Sequence, residues 1–316
     1  MSNLAMPTKR ITRKLNSLIE EPKTRTALAA VGACVAAGWL IKSGKFILEN
    51  IFRSPLNLAE RYGAGTWAVI TGASDGIGKA FAIQLAARGF NLALIARNRS
   101  KMEVVARQLT ELNANIQIRI VVADFEDSFQ PNFYEKIYSQ LEDLDMSILI
   151  NNVGEGQRNL FPLAQNRSLF NLVSVNCVSQ VMMTNFLLKR LHDSKKRAAI
   201  INISSSFTET PIPFLQSFTA TKAYNLEFGR ELAEQYRDQL DVLNLKPGLI
   251  ATEKSQLQHG LLIPSVRAYV ESALNSLGRK TEAHGHWKSK LFTKVLRNVP
   301  SSWMISEKEF VERNNA

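Results

Sequence analysis

The sequence predicts an α/β fold, a doubly wound parallel sheet with helices on both faces, preceded by an N-terminal apolar helix. Three observations predict it. From Trp67 onward, short runs rich in valine and isoleucine alternate with longer segments of helical periodicity. The short runs are apolar at almost every position, as strands are when helices cover both faces of their sheet. Before all of them, residues 27–41 form a stretch without a single charge.

The expected strands are 67–71, 92–96, 116–122, 147–151, 198–203 and 242–246, with helix-length segments such as 79–89, 101–112 and 168–191 between them. The 316 residues are 45% hydrophobic, enough to bury one large core. Fifteen helical residues at 27–41 reach about 22 Å, short of a hydrocarbon layer of about 30 Å. Apolar character resumes at Phe46, Ile47 and Leu48, so a span of 26–48 is long enough for a membrane anchor, with Lys42 and Lys45 snorkelling. A helix docked on a partner or on the chain's own domain is the alternative. The expected organisation is a basic tail and membrane helix over 1–60, the α/β domain over 61–280 and a basic amphipathic tail over 281–316. In that tail Trp287, Leu291, Phe292, Val295, Leu296 and Val299 recur at helical spacing among Lys288, Lys290, Lys294 and Arg297. The pattern predicts a helix lying on a membrane surface or packed on its own domain.

The formal charge is +11, and its location says more than its size. Residues 1–62 hold ten basic and four acidic side chains, residues 279–316 eight and four, and the 216 between them 21 and 20. A nucleic-acid binder concentrates basic charge on its folded domain; here the excess flanks apolar segments at the two ends, which points to an anionic membrane surface and away from nucleic acid. Cys34 and Cys177 form no C-x-x-C pair, and His192, His259, His284 and His286 are scattered, so no metal site is expected.

The run TGASDGIG at 71–78 follows a predicted strand and opens a predicted helix. Gly72 permits a sharp turn, Gly76 lets the backbone approach a pyrophosphate, and Gly78 allows tight helix–strand packing. The helix N-terminus adds free N–H groups and a positive dipole end. In this context the glycines predict a Rossmann-type dinucleotide site. At the end of the next strand Arg97 and Arg99 stand where a carboxylate would bind the ribose 2′-hydroxyl of NAD. A guanidinium matches a 2′-phosphate, so the pattern predicts preference for NADP. Asp124, just after the third strand, is placed to meet the adenine.

Taken with NNVG at 151–154, Asn176 in VNCVSQ, NISSS at 202–206, TATK at 219–222 and KPGLIAT at 246–252, the chain resembles the short-chain dehydrogenases/reductases in order and spacing. The likeness covers roughly residues 60–280. The apolar N-terminus and the run AERYGAGTWAVITGASDGIGKA are similar to the branch of very-long-chain 3-oxoacyl-CoA reductases and 17β-hydroxysteroid dehydrogenases. The resemblance implies that the cofactor lies along Gly72, Ser74, Gly76, Ile77, Gly78, Arg97, Asp124, Asn151, Lys222, Pro247, Ile250 and Thr252. It also implies a catalytic tetrad of Asn, Ser, Tyr and Lys, in which the tyrosine hydroxyl moves the proton. Asn176, Ser205 and Lys222 match three of these; Phe218, four residues before Lys222, stands in the tyrosine position.

Phenylalanine has no hydroxyl and can neither donate a proton nor bind a developing oxyanion. Loss of a positioned general acid costs about 10²–10⁴ in rate, and the missing oxyanion contact adds to that. Tyr224 lies two residues past Lys222, about 200° round a helix, and Tyr236 is farther still. The run FTATKAY at 218–224 resembles the inactive hydroxysteroid dehydrogenase-like proteins. Members of that branch are associated with mitochondria, and their active relatives with the endoplasmic reticulum. Three readings follow: an NADP(H)-binding protein with lost or very low oxidoreductase activity, an active NADPH-dependent reductase of a lipid-linked ketone that uses Ser205 and water, and a non-enzymatic structural subunit at a membrane. A lipid or steroid ligand, a membrane surface and a second copy of the chain are the partners they imply.

Overall fold

The structure, a computed structural model, describes residues 21–50, 56–156, 164–192, 196–210, 212–253, 255–260 and 262–298. Seven parallel strands form one sheet in the order β3-β2-β1-β4-β5-β6-β7. They are β1 (Trp67–Thr71), β2 (Asn91–Ala96), β3 (Ile118–Val122), β4 (Met146–Asn151), β5 (Ala198–Ile203), β6 (Leu240–Leu245) and β7 (Glu282–Ala283). The order reverses between β1 and β4, where a doubly wound sheet opens a crevice at the carboxyl ends of its strands. The six longer strands are those expected, shifted at their ends by up to two residues. β7 was not expected, because two residues of which one is Glu282 carry no period of their own; it forms by pairing with Asn244 and Leu245 of β6.

The helices cover both faces. On one lie α3 (Gly76–Ala86), α4 (Arg99–Leu112) and α9 (Val266–Leu274), around a core that includes Ile70, Phe81, Leu94, Leu109 and Tyr269. On the other face Val69, Ile95, Leu149, Met183 and Leu187 meet α5 (Phe133–Tyr138), α7 (Ser179–Leu191) and α8 (Gln216–Gln235). The expected helix 168–191 is real but compound: α6 (Asn166–Val173) passes through one π-helical turn, Ser174–Val178, into α7.

The chain divides into two compact units, Met1–Pro55 and Leu56–Ala316. In the first, α1 (Pro22–Asn50) is 29 residues long; its stretch Pro22–Ile41 has mean hydropathy 1.5 and no buried side chain, and is long and apolar enough to cross a membrane. Residues 1–20 of the expected basic tail lie outside the described residues. In the second unit, α2 (Leu58–Tyr62) docks on the amino end of β6. Arg61 donates to Asp241 from Nε (2.6 Å) and Nη2 (3.0 Å), Tyr62 Oη at 2.7 Å and Arg197 Nη1 at 2.8 Å.

The expected break at residue 280 is not where the domain ends. β7 and α10 (Trp287–Leu296) belong to it, and α10 does not bury its apolar residues as one face. Ser289 and Thr293 are the buried positions, while Trp287, Leu291 and Val295 are 50%, 40% and 56% exposed. Small side chains let the helix lie close, and Thr293 Oγ1 satisfies itself on the Ser289 carbonyl at 2.8 Å. Val299 lies outside the described residues.

Candidate active site

β1 ends at Thr71 and α3 begins at Gly76, so four residues make the whole connection. Gly72 (φ +65°) and Gly76 (φ +54°) are in the left-handed region that side chains avoid. A Cβ at Gly78 would collide with the Gly72 carbonyl, so the first turn of α3 lies directly on the connection. Asp75 caps the helix, accepting from Gly76 N at 2.5 Å. The backbone N–H groups of that first turn, at the positive end of the helix dipole, form an anion site. The NNVG run is stitched to the same turn. Thr71 Oγ1 accepts from Asn152 N and Val153 N at 3.0 Å each, and Asn152 Nδ2 donates to the Thr71 and Gly72 carbonyls at 2.9 and 3.1 Å.

A cleft of about 330 Å³ opens here, walled in part by Gly72, Ser74, Arg97, Asp124, Glu155 and Val175. That volume is in the range of small-molecule sites. The loop after β6 meets the start of α3: Thr252 Cγ2 lies 3.6 Å from a Cβ placed on Gly76, and Ile250 is buried. The Pro247 carbonyl accepts from Ser206 N at 2.9 Å, and Ile77 packs against the core. Arg97 is 69% exposed at the rim, but two carboxylates face it: Glu126 Oε1 lies 3.3 Å and Asp124 Oδ2 3.8 Å from Nη1. Arg99 is turned away, paired with Glu103 one helical turn along α4 at 2.9 Å.

The side chain of Asn151, a residue expected at the cofactor, is engaged within the sheet. It stands in register with Asn202 of β5, which stands in register with Asn244 of β6. Asn151 Nδ2 donates to Asn202 Oδ1 at 3.0 Å and Asn202 Nδ2 to Asn244 Oδ1 at 3.0 Å, forming a buried amide ladder across three strands. Gly229 of α8 lies directly above, where a Cβ would strike the Asn244 amide.

The remaining predicted residues do converge. Lys222 is 5% exposed, and its Nζ donates to the Ile203 carbonyl at 2.9 Å. The same ammonium lies 6.0 Å from the centroid of the Phe218 ring, within cation–π range. The ring also lies against Gly156, whose Cβ would stand 3.5 Å from Cε2. Asn176, on the π-helical turn, clamps the backbone of Glu155: Oδ1 accepts from Glu155 N at 2.8 Å and Nδ2 donates to Glu155 O at 2.9 Å. Nδ2 also donates to Thr221 Oγ1 at 2.9 Å, which fastens the clamp to α8. Ser205 is 5% exposed, with Oγ accepting from Phe207 N at 3.2 Å. Neither Tyr224 of α8 nor Tyr236 just past its end supplies the missing hydroxyl. Tyr224 is half exposed and stacked on Phe228, and Tyr236 packs against the core at the far end.

Two features escaped sequence reasoning. Glu126, which carries no motif, meets Arg97 only because the turn after β3 brings it there; Asn171 Nδ2 holds its other oxygen at 2.8 Å. Lys246 ties the loops after β5 and β6 together, 2.7 Å from Glu209 Oε1 and 3.1 Å from Glu282 Oε2. Burial pushes this ammonium down, but the two carboxylates outweigh it and hold the pKa above its ordinary value. Among the described residues no group of three or more His, Cys, Asp or Glu side chains is placed to hold a metal ion.

Comparison with known proteins agrees with this geometry. The chain is 34% identical over 260 residues to a very-long-chain 3-oxoacyl-CoA reductase of Pyricularia oryzae, covering 81% of this chain and 78% of that one. It is 33% identical over 297 residues to the human inactive hydroxysteroid dehydrogenase-like protein 1, covering 89% and 86%. A short-chain dehydrogenase from Sphingobium yanoikuyae, solved with NADPH, superposes with a TM-score of 0.62 at 23% identity, covering 77% of this chain and 99% of that one. The profile of the short chain dehydrogenases matches residues 66–259, from the strand before the glycine turn to the loop after β6, and the chain belongs to that family.

Proposed function

We propose that this protein binds NADP(H) in the cleft beside the glycine turn and has lost, or nearly lost, the oxidoreductase activity of its family. The observation that carries the second part is the Phe218 ring beside the Lys222 ammonium, where a proton donor would be needed. The first turn of α3 would hold the pyrophosphate, Arg97 the 2′-phosphate, and Lys222 the nicotinamide ribose; Asp124 lines the adenine end. A bound nicotinamide supplies hydride chemistry. Ser205 would hold the oxygen of a ketone, and Asn176 keeps the Glu155 backbone in place. No tyrosine hydroxyl completes the set. The likeness to a 3-oxoacyl-CoA reductase and to a hydroxysteroid dehydrogenase-like protein supports a lipid-linked ketone or steroid as the ligand.

The protein is proposed to sit at a membrane through α1, whose apolar stretch has no buried side chain. The mitochondrial membrane is favoured by the likeness to the inactive branch, and the endoplasmic reticulum is the alternative. Exposed Phe170, Val173, Val178 and Tyr224 give the domain a face suited to a second copy of the chain.

Fluorescence titration with NADPH, and with NADH as control, tests the cofactor reading alongside turnover of 3-oxoacyl-CoA and steroid ketones. Saturable NADPH binding with negligible turnover is expected. Robust turnover would show another proton donor and establish an active reductase. Binding of neither nucleotide would leave only a structural subunit. Carbonate extraction of the full-length protein tests the anchor: α1 does not span if the protein is released.

A further inference from the structure

A helix on the surface of a domain normally buries its apolar residues and shows its polar ones to water. α10 is built the other way round. At about 100° per residue, Trp287, Leu291 and Val295 occupy one arc of about 80°. All three are exposed, at 50%, 40% and 56%. The opposite arc holds Ser289 and Thr293, both buried, and Phe292, whose ring lies 3.0 Å from a Cβ placed on Gly248. Lys290, Lys294 and Arg297, all exposed, line one flank of the apolar arc. On the other flank Lys288 lies over the Trp287 ring at 5.8 Å and donates to the Gly260 carbonyl at 2.6 Å.

We propose that this outward face of α10 docks on an anionic lipid bilayer, as a contact separate from α1. Apolar residues that reach the headgroup boundary, with cations beside them, are the composition of an interfacial helix. Charge complementarity selects the occupant: four cations frame the arc, and they favour an anionic lipid surface. A second copy of the chain would present the same cations and be repelled. The contact has a consequence for the candidate site. Phe292 and Ser289 pack at Gly248, where Ser206 Oγ also lies, and Gly248 and Ser206 adjoin Pro247 and Ser205 in the chain. Docking α10 therefore sets the loops of the candidate site next to the lipid, the place from which a lipid-linked ligand would enter. The inference deepens the membrane reading above and does not depend on α1 spanning.

The test uses the full chain with Cys34→Ser and Val295→Cys, so that a nitroxide spin label is carried by α10 while Cys177 stays buried. The protein is reconstituted into phosphatidylcholine vesicles with and without phosphatidylglycerol. In the anionic vesicles the label should lose collisions with a water-soluble nickel complex severalfold and gain collisions with oxygen. Lys290→Glu, Lys294→Glu and Arg297→Glu together should reverse both changes while the vesicles still float with the protein. A label equally open to nickel in both vesicle types would overturn the proposal. So would one shielded from nickel and oxygen alike, which would show protein covering the face. Loss of flotation with every variant is a failure of the α1 anchor, which flotation reports separately from the label.

Discussion

The glycine turn at 71–78 and the corner formed by Ser205, Phe218 and Lys222 both lie at the carboxyl edge of the sheet, but they work through different parts of the chain. The turn acts through backbone. Its N–H groups, two left-handed glycines and the close approach of Gly78 to Gly72 exist because β1 and α3 exist. The corner acts through single side-chain atoms. A phenylalanine differs from a tyrosine by one oxygen and keeps a ring of the same shape, so the ring packs on Gly156 and meets Lys222 without a hydroxyl. A site built on backbone therefore tolerates a change of side chain that a site built on one hydroxyl does not.

The strongest way to break this contrast is to return the oxygen. Phe218→Tyr should raise turnover of 3-oxoacyl-CoA or steroid ketones by about 10²–10⁴, the range of a general acid. The Lys222 cation would lower the new hydroxyl's pKa. Steady-state NADPH oxidation measures it. A silent variant that still binds NADPH would show that the ketone pocket has changed as well, and that the corner lost more than one atom.

The next largest effect is on the cradle. Arg97→Ala should weaken NADPH by about ten- to a hundredfold, from the loss of charged hydrogen bonds, and NADH far less. Equal losses in paired titrations would show that the site's selectivity does not run through this arginine.

Asp241, at the opposite edge of the sheet, supplies a control for both regions. Burial pushes its carboxyl up, but the hydrogen bonds from Arg61 and Tyr62 and the charge of Arg197 outweigh that and hold it below its ordinary 3.8. The unfolded chain then binds the proton more readily, so this stability is present above pH 3.8 and lost as pH falls through the lower folded value. Asp241→Asn should cost about 2 kcal/mol near neutrality, between an exposed and a buried pair, and flatten the acid limb of a denaturation series. NADPH affinity should stay unchanged; a parallel loss would mean that the edges of the sheet are coupled.

The smallest effect sharpens the cradle itself. Glu126 sits 3.3 Å from Arg97, where it would compete with the proposed 2′-phosphate. Glu126→Gln should tighten NADPH a few-fold and leave NADH alone, since an exposed pair is worth at most about 1 kcal/mol. Calorimetric titration showing no change would remove Glu126 from the site.

Much of this was legible beforehand for a physical reason. Strand runs such as 67–71 and 198–203 are apolar throughout because both faces are covered, and that burial is written in composition. The glycine turn was legible because only glycine tolerates its backbone. The side-chain partners of Asn151 are not legible, because an amide at a strand end looks the same whether it faces a ligand or a neighbour; the register with Asn202 and Asn244 supplies them. α10 was read as one amphipathic face because spacing alone cannot say which residues the domain accepts.

By itself the sequence determined the doubly wound sheet, the glycine turn, the apolar N-terminal helix and the absence of a tyrosine hydroxyl at position 218. These depend on local backbone preference, on periodicity or on the identity of one side chain. Only the tertiary structure decided that Glu126 and Asp124 sit on Arg97, that Lys246 joins two loops, and that α10 turns Trp287, Leu291 and Val295 outward. Those outcomes join residues far apart in the chain, or choose one face of a helix over another. Both are settled by what packs against what, which no stretch of sequence contains.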